Sequence, residues 1–107
     1  MKKLTINRQE WLRGERGGFL LRPSDHKRCC LGIFARQLGI PDNELSCIET
    51  LDEVHDWDNV VPAWATISET ISPFYQVNDQ VDITEDAREE VLTELFADQG
   101  IEVEFVG

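Results

Sequence analysis

The chain has 107 residues, enough for one domain, and three Trp and five Phe among 41% hydrophobic residues are typical of a folded protein rather than a disordered one. Its formal net charge of −11 is opposite to that of most nucleic-acid-binding domains, and no apolar run is long enough to span a membrane. Three cysteines, two of them adjacent, do not suit a secreted disulfide framework, so we expect a single cytoplasmic domain over residues 1–107.

The first segments of the chain predict two strands. Residues 2–6 (KKLTI) and 18–22 (GFLLR) have the apolar and β-branched content of short strands. The glycine-rich stretch between them predicts a loop. Pro23 ends the second predicted strand.

A helix is predicted next. Ser24 or Asp25 is suited to cap its N-terminus, because a short polar side chain can accept a hydrogen bond from a free backbone N–H. Apolar residues then recur at a spacing of four along one stripe: Cys30, Phe34 and Leu38. Gly39 and Pro41 end the helix.

The second half of the chain predicts irregular structure, then a helix, then a strand. Residues 42–80 have no clear period, with Pro73 breaking a β-branched run, and predict short helical turns and loops. Thr84 is expected to cap a helix from Glu85 to about Asp98. Residues 101–106 (IEVEFV) alternate between apolar and acidic, which predicts a half-buried strand. The apolar face of the last helix is predicted to contain Ala87, Val91, Leu92, Leu95 and Phe96.

This order of elements predicts an α+β fold. We expect a small, largely antiparallel sheet of about three strands, with the two main helices packed on one face. The last strand is expected to join the first strand in that sheet.

Several segments resemble a group of short phage and prophage proteins with no known activity. The resemblance is carried by WLRGE, LLRPSD, CCLG at the start of a helix, and the closing EVEFV. It implies a compact cytosolic domain of phage or prophage origin, and it implies no catalytic or binding residues.

Charge is distributed unevenly along the chain. Nine of the 10 Lys and Arg residues lie between Lys2 and Arg36, and only Arg88 lies beyond, among most of the 21 acidic residues. In the last predicted helix, acidic residues recur four apart: Asp86, Glu90, Glu94 and Asp98. Like charges at this spacing destabilise a helix by roughly 0.2–0.5 kcal/mol per pair. This row, with Glu102 and Glu104 beside it, predicts a surface that binds a basic host protein; the alternative is a solvated face that keeps the protein soluble.

A thiol-dependent enzyme is the alternative function. Cys29 and Cys30 fall near the start of a predicted helix, where the helix dipole favours a thiolate, and His55 or His26 could act as the base. The competing interpretation is that both thiols belong to the core, as free cysteines usually do. The spacing of the Cys and His residues favours no specific metal, and no cofactor is expected.

A basic loop contains Arg8, Trp11, Arg13 and Arg16. Because the rest of the chain would repel a polyanion, we expect no direct binding of nucleic acid. Pairing of these arginines with the acidic half of the same chain, or with that of another copy, is the simpler interpretation. Pairing with the acidic half of another copy would make a self-associating structural protein, the third alternative.

Overall fold

The computed structural model describes residues 2–15, 18–57, 59–68 and 70–107. The described residues form two strands and four α-helices: β1 (Lys3–Asn7), α1 (Cys30–Gln37), α2 (Asp42–Leu45), α3 (Pro73–Asp79), α4 (Glu85–Ala97) and β2 (Glu102–Val106). Single turns of 3-10 helix lie at Leu51–Glu53, His55–Trp57 and Ala63–Thr66. The prediction of short helical turns in the middle of the chain is confirmed.

The sheet corrects the predicted fold class. The fold is α+β, but the described strands form a two-stranded parallel sheet, not a largely antiparallel sheet of three. The expectation that the last strand joins the first is confirmed, with Lys3 opposite Glu102 and Asn7 opposite Val106. A parallel pair needs a long crossover, which here is everything between the two strands.

The segment 18–22 is not a strand. It makes only isolated bridges, from Leu21 to Ser46 and from Arg22 to Lys27. Leu20 and Leu21 are nevertheless buried, because this segment crosses directly over α1. A β-carbon on Gly32 of α1 would lie 2.1 Å from the carbonyl oxygen of Leu20, so glycine is what allows the two backbones to approach.

Helix α1 begins later than predicted. Residues 23–26 form a turn, in which the backbone N–H of His26 donates to the carbonyl of Arg22, so neither Ser24 nor Asp25 caps the helix. Cys29 is the N-cap residue and makes no side-chain capping bond. The predicted stripe is confirmed, with Cys30 and Phe34 buried and Leu38 half-buried.

Pro73 begins a helix instead of breaking a strand. Proline fits the first helical position because its fixed φ suits a helix and the N–H it lacks would have had no partner there. Helix α3 places Phe74 in a buried aromatic cluster with Phe34, Phe96 and the half-buried Trp64. The ring centroids of Phe74 and Phe96 lie 4.8 Å apart.

Helix α4 confirms the predicted cap and corrects part of the predicted apolar face. The Thr84 hydroxyl oxygen accepts a hydrogen bond of 3.1 Å from the N–H of Ala87. Leu92 and Phe96 are fully buried, but Val91 is 37% exposed. Arg88 occupies the core side of the helix and is 1% exposed.

Candidate functional site

The acidic row of α4 lies on the protein surface. We call Asp86, Glu90, Glu94 and Asp98 the acidic face; all four are exposed. None of them forms an ion pair with any residue that the structure describes. The four carboxylates therefore remain accessible to a partner.

The neighbouring acids of the same helix are paired. Arg8 holds Glu89 by two hydrogen bonds of 2.9 and 2.8 Å, and Arg13 donates to Glu85 at 2.5 Å. Arg88 lies 3.3 Å from the second oxygen of Glu85. Partial burial raises the pKa of Glu85, but the Arg13 hydrogen bond and the two arginine charges outweigh it, so that the pKa is lowered. The predicted pairing of Arg8 and Arg13 with the acidic half of the same chain is confirmed.

The two acids of β2 differ from each other. Glu104 lies 2.7 Å from the ammonium of Lys3, and both side chains are about half exposed. The hydrogen bond that the Lys3 ammonium donates to Glu104, together with the negative charge of that carboxylate, raises the pKa of Lys3. Glu102 is exposed and makes no ion pair among the described residues. Of this predicted pair, then, only Glu102 carries a charge without a described partner.

The two adjacent cysteines are part of the core. Cys29 and Cys30 are 1% and 0% exposed. Burial raises the pKa of Cys29 to about 12 and raises that of Cys30 well above its ordinary value, which is opposite to the shift a reactive thiolate requires. Cys47 is the exposed cysteine of the three.

His26 does not complete a thiol site with the buried cysteines. His26 is exposed, on a turn, with a φ of 59°. The side chain of His55 lies outside what the structure describes, as do Asp58 and Arg16. Within the described residues, no group of three or more His, Cys, Asp or Glu side chains is arranged to hold a metal ion.

The basic loop borders a cleft of about 290 Å³ whose two arginines are already paired with carboxylates, two of which, Glu15 and Glu85, also line it. Arg13 packs over the Trp11 ring at 4.5 Å while holding Glu85. Arg22, also on the cleft, binds both Glu15 and Asp25, at 2.5 and 2.7 Å. These pairings make the cleft a poor anion site.

A buried polar centre joins four parts of the chain. Asn78, at 0% exposure, accepts hydrogen bonds on Oδ1 from Trp11 Nε1 at 2.8 Å and from the backbone N–H of Cys30 at 2.9 Å. Its Nδ2 donates to the carbonyl of Leu12. Arg88 donates to the carbonyl of Asn78 at 3.0 Å and to that of Val77 at 2.6 Å, which satisfies the C-terminal end of α3.

Sequence reasoning missed this centre. Its signal is a single asparagine spaced at i, i+4 from Phe74 on the buried side of α3, a pattern with several interpretations. The hydrogen bonds of Asn78 and Arg88 hold α4 and α3 against the segment that contains Trp11 and Leu12. They therefore determine which side of α4 faces solvent.

Comparison with known protein families, curated proteins and solved structures gives no match. No helix in the described ranges combines the length and apolar character needed to cross a membrane.

Proposed function

We propose that this protein is a non-catalytic binding module that presents its acidic face to a basic protein of the host cell. The observation that carries the proposal is the contrast within α4. Glu85 and Glu89 are held by arginines from the start of the chain, whereas the acidic face has no described cation near enough to pair with.

The energetics of α4 support this role. The acidic face contains three successive like-charge pairs at i, i+4, which together cost about 1 kcal/mol of helix stability. A partner that places Lys or Arg side chains along the row would remove this repulsion. Long-range attraction between opposite charges would also speed the encounter of the two proteins.

The basic partner fits the class of nucleic-acid-binding proteins, whose own surfaces are positively charged. Rows of carboxylates about 5–6 Å apart roughly imitate the spacing of backbone phosphates. A module bound at such a surface would block it, so we infer that the role is inhibitory, and on the resemblance to phage and prophage proteins we place it in the cytoplasm of a bacterial host.

The test is charge reversal on the acidic face. Glu90→Lys combined with Glu94→Lys turns two of the three like-charge pairs into opposite-charge pairs with Asp86 and Asp98 and leaves one like-charge pair, between the two lysines, so α4 should become more stable while binding is lost. The matched control is Asp52→Lys with Glu53→Lys, which changes the net charge equally at exposed positions outside α4.

The tagged protein and both variants are used to capture proteins from bacterial lysate at low and at high salt. The proposal expects a basic protein captured at low salt by the wild type and the control, and absent with the α4 variant. Equal capture by all three proteins would refute the proposal. Self-association would instead appear as salt-dependent sedimentation of the isolated protein.

A further inference from the structure

Strand β2 has an open edge. Glu102 N–H donates to the carbonyl of Lys2 at 2.9 Å, and Arg8 N–H donates to the carbonyl of Val106 at 2.8 Å. In a parallel ladder these bonds mean that Glu102, Glu104 and Val106 direct their peptide groups toward β1. Val103 and Phe105 therefore direct theirs away from it, where no described residue accepts or donates a hydrogen bond.

The opposite edge of the sheet is covered at its central residue. Thr5 directs its peptide group away from β2, and the side-chain amide of Gln37 occupies that position. Gln37 Nε2 donates to the Thr5 carbonyl at 2.6 Å, and its Oε1 accepts from the Thr5 N–H at 3.2 Å. Exposed strand edges tend to pair with other chains unless they are covered. This fold covers the centre of the β1 edge and leaves the edge of β2 available.

An apolar groove of about 270 Å³ runs beside the open edge. It is lined by Thr93 and Ala97 of α4 and by residues 100–103. Glu90 and Glu94 precede Thr93 and Ala97 by three positions on α4, so the acidic face borders the groove on its helix side. Glu102 borders it on the strand side.

We propose that an extended segment of the basic partner adds to β2 as a third strand. This inference rests on the proposed function and specifies how the partner binds. Main-chain hydrogen bonds to Val103 and Phe105 would supply affinity, as in other cases of strand addition. Small side chains of the segment would enter the groove, and alternating Lys or Arg side chains would lie beside Glu102 and Glu104, which alternate with Val103 and Phe105 along β2.

The negative charge of β2 favours a basic segment over a second copy of the chain as the third strand. Each copy carries a formal net charge of −11, and two β2 strands paired antiparallel over their full length would place Glu104 of one copy directly opposite Glu104 of the other, each offset only by its exposed ion pair with Lys3. Like charges in directly opposed positions destabilise a strand pair. A basic segment with the same alternation converts that repulsion into attraction.

The probe is the capped octapeptide Lys-Thr-Lys-Val-Lys-Thr-Lys-Val, labelled and titrated by fluorescence anisotropy. Two further peptides carry N-methyl groups, one on every Lys and the other on every Thr and Val. In a strand, only alternate residues make main-chain hydrogen bonds to a given neighbouring strand. One methylated peptide should therefore bind as tightly as the parent, and the other, which lacks the N–H groups that face β2, should not bind. In addition, saturation with the parent peptide should slow hydrogen exchange at the amides of Val103 and Phe105 but not at Glu104.

A protein variant tests the same edge. Val103→Pro removes the outward N–H without removing a bond to β1, and it should weaken binding about tenfold. Val103→Ala keeps the N–H, controls for lost packing, and should bind about as well as the wild type. If Val103→Pro fails to fold, the two methylated peptides decide the question.

The outcomes separate strand addition from the acidic face. Binding that is lost with Glu90→Lys and Glu94→Lys, but unaffected by Val103→Pro and equal for all three peptides, would overturn strand addition and leave the acidic face intact. Sensitivity to Val103→Pro and to one methylated peptide, with no effect of the α4 variant, would support strand addition and count against the acidic face. No binding of the parent peptide would overturn strand addition.

Discussion

Replacing Asn78 with leucine should remove a large part of the folding free energy. Leucine has a similar size but leaves the Trp11 indole N–H, the Cys30 N–H and the Leu12 carbonyl without their partner. All three groups belong to residues that are at most 3% exposed, so water cannot readily replace the amide. A buried polar group without a partner costs about 1–3 kcal/mol.

The summed penalty for three such groups is about 3–9 kcal/mol, and because they share one site we expect the lower part of that range, about 4 kcal/mol. A domain of this size has a total stability of about 5–15 kcal/mol. The Asn78→Leu variant should therefore retain only a small free energy of unfolding. The assay is urea denaturation followed by tryptophan fluorescence. A loss below about 1 kcal/mol would refute the assignment of Asn78 as the centre of a closed hydrogen-bond network.

Asn78→Asp provides a second test with a defined sign. The new carboxyl keeps the acceptor for Trp11 and Cys30 but places an oxygen against the Leu12 carbonyl and the carboxylate of Asp79. Burial and this repulsion should raise its folded-state pKa above the ordinary Asp value of about 3.9. Its stability relative to wild type should then be greatest below that pH and decline as the pH rises through the raised pKa. A difference that does not vary between about pH 3.5 and pH 7.5 would contradict this reasoning.

Three other predictions can be checked by thiol labelling or by the same unfolding measurements. In the native protein only Cys47 should react with a thiol reagent at about pH 8, and labelling of a second cysteine would contradict the buried, raised-pKa state of the other two. Gly32→Ala should cost about 3 kcal/mol or more, because its β-carbon meets the rigid carbonyl of Leu20; a loss within about 0.5 kcal/mol would refute that contact. Burial raises the pKa of Asp79 despite hydrogen bonds that lower it, so Asp79→Asn should stabilise the protein at neutral pH, with the gain disappearing below about pH 4. A gain independent of pH would point to another cause.

The elements that could be predicted from the sequence are those with a local signal. Thr84 before an acidic first turn identifies the start of α4, and the alternation of residues 101–106 identifies β2. The apolar run 18–22 is misleading because its burial arises from contact with α1 at Gly32, not from strand pairing. A short apolar run looks the same in both situations.

The candidate site could be predicted only in part for a related reason. The row of acids in α4 follows from helical spacing, but which acids are paired depends on distant residues. Glu89 is held by Arg8 from 81 positions away, and Glu85 by Arg13 from 72. No local pattern reports such contacts. The open edge of β2 likewise depends on a parallel register that the sequence did not indicate.

The distance in sequence between the two strands also determines when the fold can close. Lys3 pairs with Glu102, so β1 has no strand partner until the ribosome has made nearly one hundred further residues. Closing so long a loop is entropically costly and tends to make folding slow. Until then Leu4 and Ile6, which are fully buried in the finished protein, have no β2 to pack beside. These two side chains therefore reach their final packing only after β2 has been made.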